Sequence, residues 1–126
     1  MVMGKTKGGA FERLIYKELR NYGTCKRTIG SGSSDEPADI LFKNYAIELK
    51  HLKQVRWSML TKFWSKLKKQ VDEYNVGFKD NTLYFEPVII FRQNREPIMV
   101  MCLMDYNKKN VRAITSYNLW KLMVVK

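Results

Sequence analysis

The hydrophobic period of the chain changes once, sharply, near its middle. Tyr45, Ile47 and Leu49 alternate with Ala46, Glu48 and Lys50, the two-residue repeat of a strand with unlike faces. From Trp57 the repeat becomes three and four. Trp57, Leu60, Trp64, Leu67, Val71 and Tyr74 align on one stripe, a helix of about five turns. A strand feeding a long amphipathic helix needs a sheet on which to lay that helix.

The flanking segments supply one. "DILF" (Asp39 to Phe42) precedes the alternating strand and joins it through Lys43-Asn44, as a hairpin. "CKRTI" (Cys25 to Ile29) reads as a strand before that. Downstream, "PVIIF" and "IMVMCL" read as two more, and an apolar, basic segment follows. Ahead of them all, Phe11, Leu14, Ile15, Leu19 and Tyr22 recur at helical spacing from Ala10, and Gly23 stops the helix. The order is helix, three strands, long helix, then two or three strands. It predicts one mixed α/β layer fold, a single domain over residues 1–126 without repeats or a linker. Residues 1–9 read as a flexible arm carrying Lys5 and Lys7.

Charge narrows the partners. Twenty-three Lys and Arg face twelve Asp and Glu, a formal +11, which favours a polyanion such as nucleic acid, with a membrane surface as rival. No apolar run reaches the ~20 residues of a spanning helix, and the start has no signal-peptide core, so the expectation is a soluble, cytoplasmic protein. Cys25 and Cys102 lie in apolar segments and read as reduced core residues. One His and no CxxC exclude a Cys/His zinc set.

The stretch "GSGSSDEPADI" (Gly30 to Ile40) invites a nucleotide-cradle reading. A P-loop needs G-x-x-x-x-G-K-[ST] opening a helix. Here Asp35, Glu36 and Pro37 follow the glycines, then a strand, and no Lys follows. No nucleotide cofactor is expected. Past the loop, Asp39 opens a strand, and Glu48 and Lys50 share one face of the next. On neighbouring strands, two carboxylates and an ammonium converge. The acids repel, and a divalent cation removes that penalty and activates water for attack. Magnesium suits two carboxylates and a backbone carbonyl; manganese is the substitute. A strand bearing an ordinary surface ion pair has the same spacing. On the first helix Glu12 lies at the margin of the apolar stripe and Glu18 further inside it, so geometry flags Glu18 at least as readily as Glu12.

"PADI…AIELK" resembles the PD-(D/E)xK nuclease signature. With "GAFERLIYKELRNYG" and "RTIGSGSSDEPADI", it is similar to the archaeal-type Holliday junction resolvases, well over Gly9 to Lys50 and loosely to about Leu103. Ala38 separates Pro37 from Asp39, one residue more than the literal motif. The resemblance implies a restriction-endonuclease-like mixed β-sheet flanked by helices. It implies that Asp39, Glu48 and the Leu49 carbonyl hold magnesium, with Glu12 joining them directly or through water, and that Lys50 is the catalytic lysine. By analogy, not geometry, Glu12 is chosen over Glu18. Arg27 and the loop serines Ser31 and Ser33 would lie at the DNA, Ser33 beside the scissile phosphate. Gln70 and Tyr74 are similar to the QxxxY motif of RecB-like nucleases, which would make Gln70 a catalytic helper. Lys5, Lys7 and Arg13 would bind backbone phosphates.

The reading is a metal-dependent, structure-selective DNA endonuclease, a homodimer that cuts four-way junctions symmetrically. Its alternatives are a related nuclease cutting flaps, single strands or duplex, and a non-catalytic nucleic-acid-binding module. Trp57 and Trp64 read as core, although with Phe63 they could stack on bases. The tail around "NLWKLMVV" reads as either core or a dimer face.

Overall fold

The computed structural model describes residues 3–28 and 37–125, with side chains from Gly9 onward. Its elements are α1 (Met3–Leu19), β1 (Cys25–Arg27), β2 (Ile40–Phe42), β3 (Tyr45–Leu52), α2 (Trp57–Asn75), β4 (Glu86–Gln93), β5 (Met99–Tyr106), β6 (Lys109–Ser116) and α3 (Tyr117–Val124). The six strands lie side by side in chain order. All neighbours are antiparallel except β3 and β4, which run parallel. A parallel pair cannot be joined by a tight turn. The helical period from Trp57 is that crossover: α2 carries the chain back across the sheet.

The alternation in β3 sorts the two layers. Ile47, with Tyr45 and Leu49, packs toward α1 and α3, among Phe11, Ile15, Leu19, Tyr117 and Trp120. Ala46 faces α2, among Leu60, Trp64, Leu67 and Val71. β4 is covered on both faces and reads accordingly as the unbroken apolar run "PVIIF". The tight turns need left-handed backbone. Lys43 adopts it between β2 and β3, and Asn107 and Lys108 adopt it together between β5 and β6, as a type I′ hairpin requires.

Asn75 closes the C-terminal end of α2. Its amide donates to the Phe85 carbonyl at 3.0 Å and accepts from the Phe85 N–H at 2.9 Å, which satisfies the backbone where the chain enters β4. Asn75 is the buried polar residue among those described. Both cysteines are free thiols, Cys102 buried and Cys25 partly so. Among the described residues no helix is long and apolar enough to cross a membrane.

Several expectations change in detail. α1 starts at Met3 and not at Ala10, so the segment read as an arm has helical backbone from Met3 onward. A mid-helix glycine costs only about 1 kcal/mol, and Gly8 and Gly9 do not stop it. Leu14 and Tyr22 are exposed. Trp57 is exposed too, whereas Trp64 is buried. Trp57 is the first helical residue, and Arg112 of β6 lies over its ring, 5.2 Å from the centroid. The apolar tail divides: Trp120 is buried, while Leu119, Leu122 and Met123 face outward.

Candidate active site

The site forms where β2 and β3 part. Their pairing ends at Ile40 and Ile47, and Ala38 turns the chain away at φ 69°, a left-handed conformation costly for a residue with a Cβ. The Thr28 hydroxyl donates to the Ala38 carbonyl at 2.6 Å and holds that turn. The backbone of Asp39 stays pinned. Its N–H donates to Ile47 O at 2.9 Å, and its carbonyl accepts from the Thr28 N–H at 3.0 Å. Beyond Ile47, the Leu49 N–H donates instead to the Asp39 side chain, at 2.9 Å from Oδ2. In an antiparallel strand a residue's N–H and C=O leave by the same edge. The Leu49 carbonyl therefore faces the gap that the Asp39 carboxylate enters.

Glu48 and Lys50 stand on the α2 face of β3, beside this gap. Lys50 Nζ lies 3.5 Å from Glu48 Oε2, and both side chains are about three-quarters buried, at 29% and 24% exposure. On the other side of the sheet, Glu12 of α1 accepts from Arg27 Nε at 3.1 Å. Glu18 is engaged elsewhere: its Oε1 accepts from the Tyr117 hydroxyl at 2.9 Å and from Lys121 at 3.2 Å, tying α1 to α3. Of the two helix acids, Glu12 is the one that adjoins Asp39.

The electrostatics follow from this placement. Burial pushes the Asp39 carboxyl above the ordinary carboxylate range; the Leu49 N–H opposes that, the Glu12 charge adds to it, and Lys50 opposes it. Burial also raises Glu48, and the neighbouring Asp39 charge raises it further, against the pull of Lys50 and Lys66. Two desolvated acids that disfavour each other's charge form a pair a cation would relieve. The donors, two carboxylates and one backbone carbonyl, are of the kind a hard, oxygen-preferring divalent ion takes. Among the described residues no group of three or more His, Cys, Asp or Glu is set to hold a metal, and Glu12 is turned to Arg27.

Other predicted residues are less close. Gln70 is exposed on α2, and no hydrogen bond joins it to Asp39, Glu48 or Lys50. Tyr74 belongs to an aromatic cluster, with Phe78 and Phe85 at 5.5 and 5.8 Å. Ser31 and Ser33 lie outside the described residues, as do the side chains of Lys5 and Lys7. Arg13 is exposed on α1. Arg20 and Arg27 both lie over the Tyr16 ring, at 5.7 and 6.0 Å, a cationic face next to Glu12.

Three residues at the site carried no signal for it in the sequence. Thr28 braces the turn before Asp39. Lys66 of α2 lies close enough to Glu48 for its charge to oppose the rise of that carboxyl. Phe63 receives the Lys50 ammonium on its ring, with Nζ 4.3 Å from the centroid. Both α2 residues reach the site only through the crossover, which no local pattern encodes.

The chain is similar in structure to Hjc, a Holliday junction resolvase from the archaeal hyperthermophile Archaeoglobus fulgidus. The TM-score is 0.51 and the identity 21%, over 90% of this chain and 89% of that one. That likeness shows the restriction-endonuclease-like fold: a mixed six-stranded sheet with helices on both faces. No curated protein matches the chain. The family model "Phage putative PDDEXK endonuclease" matches residues 3–125. The chain therefore belongs to that family of PD-(D/E)xK endonucleases.

Proposed function

We propose that the protein is a magnesium-dependent, structure-selective DNA endonuclease that cuts four-way junctions as a homodimer. The observation that carries the chemistry is the Asp39 carboxylate, anchored by the Leu49 N–H at the parting of β2 and β3, with Glu48 and Lys50 beside it. Asp39, Glu48 and the Leu49 carbonyl would hold the metal, and Glu12 would support it directly or through water. When bound, the metal neutralises the two acids and makes water a competent nucleophile toward a phosphodiester. Manganese would serve in its place.

The chain's own residues do the rest. Lys50 presents its ammonium to the phosphate oxygens, where negative charge grows during attack. Glu12 fixes the Arg27 guanidinium, which with Arg13, Lys5 and Lys7 binds backbone phosphates. Ser31 and Ser33 contact the strand being cut. Phosphate contacts carry no base information, so recognition rests on DNA shape.

The junction preference and the dimer are supported by the +11 charge, by the fold shared with an archaeal junction resolvase, and by the symmetry argument. A four-way junction is close to twofold symmetric, and a C2 dimer supplies two matching active sites. The outward Leu119, Leu122 and Met123 of α3 and Val111 and Ile114 of β6 offer apolar surface for such a contact.

A substrate panel tests this. Labelled four-way junction, matched duplex, flap and single strand are incubated with the protein and magnesium. Paired, symmetric cuts confined to the junction are expected. Equal cutting of every substrate would leave a nuclease without junction selectivity.

A further inference from the structure

The Lys50 ammonium is held from two sides. Its 3.5 Å separation from Glu48 Oε2 is longer than the ~2.7–2.9 Å of a tight charge-assisted hydrogen bond, so Glu48 alone does not fix it. The second neighbour is the face of Phe63, 4.3 Å away at the ring centroid. Phe63 comes from α2 and is partly buried against the apolar cluster beneath that helix, so the ring has a fixed seat.

A lysine head on a four-carbon stem explores many rotamers unless something holds it. A carboxylate would hold it and cancel its charge. An aromatic face attracts the cation through its quadrupole and adds no counter-charge. We infer that Phe63 is a positioning residue for Lys50: its ring fixes the ammonium beside Glu48 without adding a second counter-charge to it. The inference rests on the nuclease reading above. A merely space-filling Phe63 could be replaced by any apolar side chain of similar size, which separates the two roles.

The test compares wild type, Phe63→Leu and Phe63→Tyr. Thermal unfolding checks the fold, cleavage kinetics give kcat and KM, and NMR of the Lys50 ε-methylene protons in chelated protein reports the ring directly. Phe63→Leu should lower kcat by about 2- to 30-fold, the span of a cation–π contact from exposed to desolvated settings. KM and Tm should stay near wild type. Phe63→Tyr keeps the ring face and should recover kcat. The Lys50 ε protons should be shifted upfield in wild type and Phe63→Tyr, and unshifted in Phe63→Leu. An unchanged kcat in Phe63→Leu, or no upfield shift in wild type, overturns the inference. Wild-type protein that keeps the shift but cuts no DNA overturns the nuclease reading, and the positioning role with it.

Discussion

Asp39 has two physical roles that two substitutions separate. Its Oδ2 accepts the Leu49 N–H at 2.9 Å, and its charge sits in a site that disfavours charge. Asp39→Asn keeps an acceptor of the same shape and removes the charge. Asp39→Ala removes both and strands the partly buried Leu49 N–H, which costs about 1–3 kcal/mol. Neither variant carries the charge, so their difference isolates the hydrogen bond. For a chain of this length, about 1 kcal/mol moves Tm by ~4 °C. In chelator at pH 7, Asp39→Ala should therefore melt about 4–12 °C below Asp39→Asn. The comparison with wild type has a definite sign. The folded pKa is raised, so the contribution of this carboxyl to stability is fully present below its unfolded pKa and lost as pH rises through the folded value. At pH 7 Asp39→Asn should melt at or above wild type, and the gap should close as pH falls below the carboxylate range. Differential scanning calorimetry across pH reads all three proteins. Equal melting of the Asn and Ala variants, or an Asn variant well below wild type at pH 7, would refute the reasoning.

Other consequences are separable from that one. Asn75→Ala leaves both the N–H and the C=O of Phe85 without their partner, so denaturant unfolding should show a loss of about 2–4 kcal/mol, with cleavage per folded molecule preserved. Magnesium at about a hundred times its dissociation constant should stabilise the protein by about 2.7 kcal/mol at pH 7. That shift should shrink as pH falls, because protons compete for the raised Asp39 and Glu48 carboxyls, and it should vanish in Glu48→Gln. Arg27→Ala should weaken junction binding and reduce the log–log salt slope by about 0.9, the share of one phosphate contact. An unchanged slope would remove Arg27 from the DNA surface.

What could be read from the sequence was local. The switch from alternation at Tyr45–Lys50 to the helical stripe from Trp57 is written in adjacent residues, and it fixed the strand, its two faces and the crossover helix. Trp57 lies on the apolar stripe yet is exposed: it is the first residue of α2, with Arg112 of β6 over its ring. The choice of Glu12 over Glu18 needed analogy, because the residues that occupy Glu18, Tyr117 and Lys121, come from the far end of the chain. Asp39, Glu48 and Lys50 were legible as a motif. The left-handed turn at Ala38, which accommodates the residue between Pro37 and Asp39, was not, since Ala gives no sign of positive φ. Phe63 and Lys66 could not be tied to Lys50 and Glu48 until the fold laid α2 over β3.

The most direct measurement of the central claim is cleavage of a labelled four-way junction by wild type and Glu48→Gln, each with magnesium and with chelator. Glu48→Gln keeps the side-chain shape beside Lys50 and removes one of the two acids. The account predicts cutting by wild type in magnesium alone, no cutting in the other three reactions, and junction binding by both proteins throughout. Cleavage by Glu48→Gln at the wild-type rate, or by wild type in chelator, would contradict it.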